Sequence, residues 1–294
     1  MISLFIKYLQ YEKNNSFHTV VAYKEDILQF QNFVNQQVGI CDFSKIDSSL
    51  VRQWMISLKK EKYTETSINR KISSLRSFYK FTKKQGLTTN NPLSKINSLK
   101  TKKKLPIFFK ESEMESVLSD NNIFTGTEFE NVRNSLVIEL LYNTGIRRSE
   151  LIEIKDCDFN FFNLTLQVTG KGNKQRLIPF SNVLRESLMH YIEIRKTTFN
   201  KSSDYFIVNN KGGKSYPNLI YRIVQQNLGK VSSLTKKSPH VIRHTFATSM
   251  LNNGAELSAI KEILGHASLA ATQVYTHTSF EQLKKIYKQA HPRE

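Results

Sequence analysis

The chain is poor in cysteine, short of acid and free of long apolar runs. Its two cysteines, Cys41 and Cys157, lie far apart and outside any metal-type spacing. That excludes a disulfide framework and a Cys-rich zinc site, and it points to reduced thiols in a cytoplasmic protein. No apolar stretch approaches the roughly 18 residues needed to span a membrane. The opening MISLFIKYLQYEK carries Lys7 and Glu12 and lacks a small-residue cleavage site, so it reads as an amphipathic first helix and not as a signal peptide. Acidic residues number 25 against 43 lysines and arginines, a formal charge of +18. A chain this basic repels itself unless a polyanion is its usual neighbour. Nucleic acid is the first such partner to consider and an anionic membrane surface the second. The 39% hydrophobic content and 294 residues suffice for one large domain or two moderate ones with real cores.

Residues 1–90 pattern as helices throughout. Apolar residues recur three and four apart in SLFIKYLQYE, TVVAYKEDILQFQNFV and SSLVRQWMISLKKEK, and Val20, Tyr23, Ile27, Phe30 and Val34 form one stripe. A fourth helix is expected to start at a Thr64 or Thr66 cap and to end near Gly86. It buries Ile68, Ile72, Leu75, Phe78 and Tyr79, and exposes Arg70, Lys71, Arg76, Lys80, Lys83 and Lys84 with only Glu65 against them. Residues 91–106 read as a basic linker: Asn91-Pro92 breaks a helix, Lys100 and Lys102 to Lys104 cluster, and Pro106 fixes an extended entry. Such lysines would give salt-dependent attraction to a phosphate backbone.

Residues 107–294 form the second block. Helices are expected near 110–119 and 128–143, then a β-ribbon in LTLQVTGKGNKQRLIPF around the turn GKGNK. Helix returns near 181–195, DYFIVN reads as a short strand, NLIYRIVQQNLGKV as a helix, and Pro239 to Ala290 as three or four more helices. The order is helical, then a small sheet, then helical again. A doubly wound sheet does not fit it.

The stretch PHVIRHTFATSML starts a helix at Pro239, with Ser238 as cap, and places His240 and His244 on one face. Two such histidines suggest a metal, but the glutamate that follows the first histidine in zinc proteases is Val241 here, and no obvious ligand set completes a shell. A phosphate suits the spacing better. His240 and Arg243 share the first turn at a helix N-terminus, where amide N–H groups favour an anion, and arginine presents a planar fork to phosphate oxygens. In ELLYNTGIRRSEL, Gly145 ends a helix, Ser149-Glu150 can cap the next, and Arg147 or Arg148 projects between them; Glu150 is expected to orient its neighbours through hydrogen bonds. GKGNKQR lacks the spacing of a nucleotide phosphate loop, so ATP use has no support. As a hairpin tip it would carry Lys171, Lys174 and Arg176 into a DNA groove. In ILGHASLAATQVYTHTS, His266 follows Gly265 and Tyr275 follows a short helix.

Taken in this order, TGIRRSEL, GKGNKQR, HVIRHTFAT and LGHASLAATQVYTH resemble the tyrosine recombinase (phage integrase) family, and the compact length and closing YKQAHPRE are most similar to its Xer-type members. The resemblance covers nearly the whole chain. It implies a mainly α protein, with a helical N-terminal DNA-binding domain (1–90) and an α+β catalytic domain with a small antiparallel sheet (107–294). It implies an active-site set of Arg147, Lys171, His240, Arg243, His266 and Tyr275, with Glu150 in the supporting acidic position. Tyr275 would be the nucleophile, Arg147 and Arg243 the phosphate clamp, Lys171 the general acid, and no metal or cofactor is called for. Arg70, Lys71, Arg76, Lys102, Lys103, Lys104, Lys174 and Arg176 are candidate DNA contacts. The implied partners are a double-stranded DNA recombination site, a homo- or hetero-tetramer on two duplexes that exchanges a C-terminal helix, a second Xer-type recombinase and a septal DNA translocase, with no membrane association. Resolution of chromosome dimers at cell division is the role expected of such a member. An integrase or transposase of a mobile element would use the same chemistry, and a noncatalytic DNA-binding module would explain the charge but not the second block.

Overall fold

The computed structural model describes residues 1–39, 41–101, 107–170, 172–200, 203–265 and 280–292, with the backbone alone for Asn121 and residues 280–283. The chain divides into two compact units, Met1–Lys104 and Leu105–Glu294.

The first unit is helical. Helix α1 (Ile2–Lys7) runs into a π-helical turn at Tyr8–Glu12, followed by α2 (Phe17–Val38), α3 (Ser48–Lys60) and α4 (Glu65–Lys84). Ser16, Asp47 and Thr64 cap the last three, each accepting a backbone N–H three residues on. The stripes meet in one core of Phe5, Ile27, Phe30, Trp54, Leu75 and Phe78, all essentially without solvent contact. Phe30 and Trp54 pack at 4.9 Å between ring centroids, and Phe5 meets Phe78 edge-on at 5.4 Å.

This packing corrects the expected charge pattern of α4. Asp26, on α2, is 1% exposed, and its carboxylate accepts from both terminal nitrogens of Arg70 (2.6 and 2.9 Å), from Lys71 Nζ (3.0 Å) and from the Ser74 hydroxyl (2.7 Å). Lys71 also donates to Gln29 Oε1 at 2.6 Å and is itself buried, so it is not a surface contact for DNA. The acid comes from another helix, 45 residues away, and no local spacing reveals it. Lys80, Lys83 and Lys84 are exposed. The start of the expected linker is docked as well. Leu93 and Ile96 enter the core, Arg76 donates to the Ile96 carbonyl, and Asn69 exchanges two hydrogen bonds with the Leu99 backbone. Lys102, Lys103 and Lys104 lie outside the described residues.

The second unit comprises α5 (Glu111–Ser119), α6 (Glu128–Thr144), α7 (Arg148–Glu153), strands β1 (Phe159–Asn160), β2 (Thr165–Thr169) and β3 (Gln175–Pro179), then α8 (Asn182–Thr198), α9 (Pro217–Val231), α10 (Pro239–Asn252), α11 (Leu257–Leu264) and α12 (Phe280–Ala290). The strands form one antiparallel sheet in the order β1-β2-β3, with Val168 opposite Arg176 and Leu166 opposite Ile178. Every residue of α6 from Leu136 to Thr144 is buried, as suits a central helix surrounded by others. The segment expected as a strand at DYFIVN forms only isolated bridges, Lys155 to Tyr205 and Val208 to Lys214. Its backbone is satisfied otherwise: the Phe206 carbonyl accepts from the Arg195 guanidinium at 2.9 Å, and the Val208 amide donates to the Tyr191 hydroxyl at 3.1 Å. Three consecutive buried side chains, Phe206, Ile207 and Val208, explain the strand-like pattern.

The C-terminal helix, expected to reach a neighbouring protomer, packs here on its own unit. Tyr287 donates its hydroxyl to the Asn143 carbonyl (3.0 Å) near the end of α6, where carbonyls lack a helical partner, and Asn253 donates to the Ala290 carbonyl (2.9 Å). Among the described residues no helix is long and apolar enough to cross a membrane.

Candidate active site

Three helix ends converge in the second unit. Helix α6 stops at Gly145, which adopts the left-handed conformation (φ 59°), and α11 stops the same way at Gly265 (φ 64°). Helix α7 begins just after Gly145, with Arg147 as its capping residue. Glu150, three residues on, reaches back to accept the Arg147 backbone N–H at 2.8 Å.

Arg243, on the first turns of α10, is 7% exposed and lies where the C-terminal ends of α6 and α11 meet. It donates from Nη1 to the Gly145 carbonyl and from Nη2 to the Leu264 carbonyl, both at 2.7 Å. Two helix ends thus direct their partial negative charge at one guanidinium, which offsets the penalty of burying it. Burial, with the charges of Arg147 and Arg176 nearby, pulls its pKa down to about 10, well above neutrality, so the group stays charged. A guanidinium has five N–H donors, and these two contacts leave three.

Arg147 donates from Nη1 to Glu150 Oε1 at 2.7 Å and from Nη2 to the Gly265 carbonyl at 3.1 Å, with about a third of its side chain exposed. Its neighbour Arg148 points elsewhere. It is exposed and makes one long contact, 3.4 Å, to the Pro217 carbonyl. The geometry therefore separates the two adjacent arginines: Arg147 joins Arg243 beside the end of α11, and Arg148 does not.

Glu150 is buried and takes four donors: the Arg147 amide and guanidinium, and both terminal nitrogens of Arg176 at 3.0 and 2.8 Å. Burial alone would raise its pKa. The hydrogen bonds and charges of Arg176 and Arg147 outweigh that and hold it below the ordinary glutamate range. Arg176 also donates from Nε to the Ile263 carbonyl at 2.6 Å. It is committed inside the protein, which corrects its assignment to a DNA groove. Strand alternation carried this signal: Arg176 lies two residues before buried Ile178, on the same face, whereas Gln175 and Leu177 are exposed.

His240 is exposed on the first turn of α10, as is His244 one turn later. Partial burial, together with His244, Arg243, Arg148 and Lys236, lowers the His240 pKa, favouring the neutral ring. Ser238 occupies the capping position, but its hydroxyl makes no capping bond. Lys174 is exposed on the β2–β3 hairpin, where the Gly170 amide closes the loop on the Lys174 carbonyl at 2.8 Å. Lys171, His266 and Tyr275 lie outside the described residues. Among the described residues no group of three or more His, Cys, Asp or Glu could hold a metal ion.

Two guanidiniums, Arg147 and Arg176, thus share one carboxylate, Glu150, and a third, Arg243, is held beside them by the Gly145 and Leu264 carbonyls. The excess is cationic and rigidly held, as a site for a phosphate requires. Residues 108–282 match the phage integrase family, and residues 2–86 match the phage integrase N-terminal SAM-like domain. The chain belongs to the phage integrase family of tyrosine recombinases. As a tyrosine recombinase it cuts and rejoins DNA strands through a phosphotyrosine. Within the family it is similar to tyrosine recombinase XerC of Listeria innocua, 38% identical over 296 residues that cover 98% of this chain and 96% of that one. It is also similar to tyrosine recombinase XerC of Anoxybacillus flavithermus, 39% identical with 99% and 97% covered. The fold matches that of XerH site-specific recombinase bound to palindromic difH substrate in a post-cleavage complex: TM-score 0.74, 22% identity, 97% of this chain and 83% of that one. The Tn1549 transposon integrase in complex with transposon right end DNA has a TM-score of 0.69 at 22% identity, with 98% of both chains covered.

Proposed function

We propose that this recombinase resolves chromosome dimers at a single chromosomal site. The Xer-type relatives, similar over nearly their full length, support this reading, and the placement of Arg147 and Arg243 side by side against the end of α11 supports the chemistry. The enzyme works in the cytoplasm, as a tetramer on two DNA duplexes, with a second Xer-type recombinase and a septal DNA translocase as partners. The helical first domain and the basic residues Arg70, Arg76, Lys102, Lys103, Lys104 and Lys174 contribute to DNA contact.

Each half-reaction balances without a cofactor. The Tyr275 oxygen attacks the scissile phosphorus and forms a P–O bond, the P–O5′ bond breaks, and a 3′-phosphotyrosine remains. Lys171 supplies the proton that the leaving 5′ oxygen takes up, and His240, kept neutral by its surroundings, assists proton handling near the tyrosine. Arg147 and Arg243 use their remaining N–H groups on the nonbridging oxygens, and His266 adds a donor. Glu150 stays ionised and holds Arg147 in place. The 5′-hydroxyl of the partner strand then attacks the phosphotyrosine, releases Tyr275 and reseals the backbone. Bond energy is conserved, so ATP is not needed.

Sequencing the DNA covalently attached to the protein recovered from cells tests the biological role. Attachment at one chromosomal locus, with chromosome dimers accumulating when the gene is deleted, is the expected result. Attachment at the ends of a mobile element would overturn it in favour of an integrase or transposase.

A further inference from the structure

Arg176 lies beneath two glycines. A Cβ added to Gly170 would stand 3.4 Å from both Arg176 Nη1 and Glu150 Oε1, and one added to Gly265 would stand 3.2 Å from Arg176 Cδ and Nη1. Gly170 immediately precedes Lys171 in the sequence. It also closes the hairpin through its bond to the Lys174 carbonyl. In the tip-proximal half of the ribbon Val168 of β2 is buried in the core, directly opposite Arg176. In β3 the buried residues are Ile178 and Pro179, at the far end, while Gln175 and Leu177 face solvent. On the inward face at the tip end stands Arg176, 12% exposed, bonded to both Glu150 oxygens and to the Ile263 carbonyl.

We propose that Arg176 is a positioning residue for strand cleavage: by pinning the base of the hairpin at Gly170 against Glu150, it sets where Lys171 delivers its proton. The same carboxylate holds Arg147, so a single bridge joins the phosphate clamp to the strand of the hairpin that carries Arg176. At Gly265 the lack of a side chain lets the backbone pass close over the bridge, and at Gly170 the backbone lies within ordinary contact reach of it. The inference rests on Lys171 being the general acid.

That dependence dictates the test. In the natural site the P–O5′ bond breaks and the leaving oxygen takes a proton. With sulfur in place of the 5′ bridging oxygen, the P–S bond breaks instead and the thiolate leaves without one, so a misplaced acid no longer matters. Arg176→Gln and Arg176→Lys are compared with the unaltered protein on both DNA sites under single-turnover conditions, with Lys171→Ala as the control. Arg176→Gln is expected to lose on the order of 10²-fold in cleavage rate on the oxygen site, with DNA affinity within a few-fold of the unaltered protein, and to recover most of that loss on the sulfur site. Arg176→Lys, which keeps the charge but not the fork, should fall between and carries the same comparison if the glutamine variant does not fold. An equal deficit on both sites, while Lys171→Ala is rescued by sulfur, would overturn the role of Arg176 alone. Failure of sulfur to rescue Lys171→Ala would overturn the assignment of the acid and the inference with it.

Discussion

Arg243 and Gly145 are joined by a 2.7 Å hydrogen bond that ties the buried guanidinium to the C-terminal carbonyl of α6. The contact depends on Gly145 lying in the left-handed conformation, with Phe246 and Leu264 closing over it. A Cβ there would stand 2.5 Å from the Phe246 ring and 2.8 Å from a Leu264 methyl. Gly145→Ala is therefore expected to destabilise the second unit by roughly 2–4 kcal/mol, from backbone strain plus overpacking. Chemical denaturation measures the loss, and cleavage should fall alongside because Arg243 loses its anchor.

Two adjacent arginines should fail in different ways. Arg147→Gln removes a guanidinium held beside the end of α11, and cleavage should drop on the order of 10²–10³-fold with little change in DNA affinity. Arg148→Gln removes an exposed cation, so binding should weaken and the salt dependence should lose about one unit of slope, with cleavage of saturated enzyme nearly intact. Parallel gel-shift and single-turnover assays distinguish the two, and a reversed pattern would exchange their roles.

His240 should titrate below the ordinary histidine value, because partial burial and the cations around it oppose protonation. A lowered value means the folded chain releases this proton at a pH where a free histidine still holds it. Removing the Arg148 charge should move the midpoint upward. NMR titration of the His240 ring in the unaltered chain and in Arg148→Gln checks both the depression and the direction of the change.

In the first unit, Asp26→Ala should cost about 3–5 kcal/mol, since it strands the buried Lys71 ammonium without its carboxylate. Asp26→Leu combined with Lys71→Met should cost less than the single change, despite altering more atoms. Thermal unfolding of the two variants beside the unaltered protein separates a structural ion pair from a DNA contact, and a stable Asp26→Ala protein would restore Lys71 to the DNA-facing set.

Much of this architecture is legible because helices announce themselves through caps and apolar spacing. Of the two expected caps, Thr64 and Thr66, it is Thr64 that caps α4, and four of the five stripe residues of α2, Val20, Ile27, Phe30 and Val34, are buried. Asp26, one residue before Ile27, is buried as well, and nothing in its local pattern distinguishes it from a solvated acid; its meaning comes from α4 packing across it. The same limit applies to Arg176. Residue type and a glycine-rich turn suggested DNA, whereas the alternation of β3 turned the side chain inward, and the partner carboxylate lies 26 residues earlier. The pairing of Arg147 with Arg243 was legible in part, through motif order and the Gly145 stop. That the Gly145 and Leu264 carbonyls hold Arg243 follows only from the three-dimensional convergence of two helix ends.

Tyr275 is expected to attack DNA within the site built by Arg147, Glu150 and Arg243. Incubating the protein with a recombination site nicked beside the scissile phosphate traps any covalent complex, because the short released strand diffuses away before it can reseal the break. The unaltered protein is expected to give a denaturation-resistant adduct through Tyr275, and Tyr275→Phe to bind the site equally well and give none. An undiminished adduct in Tyr275→Phe would contradict the account.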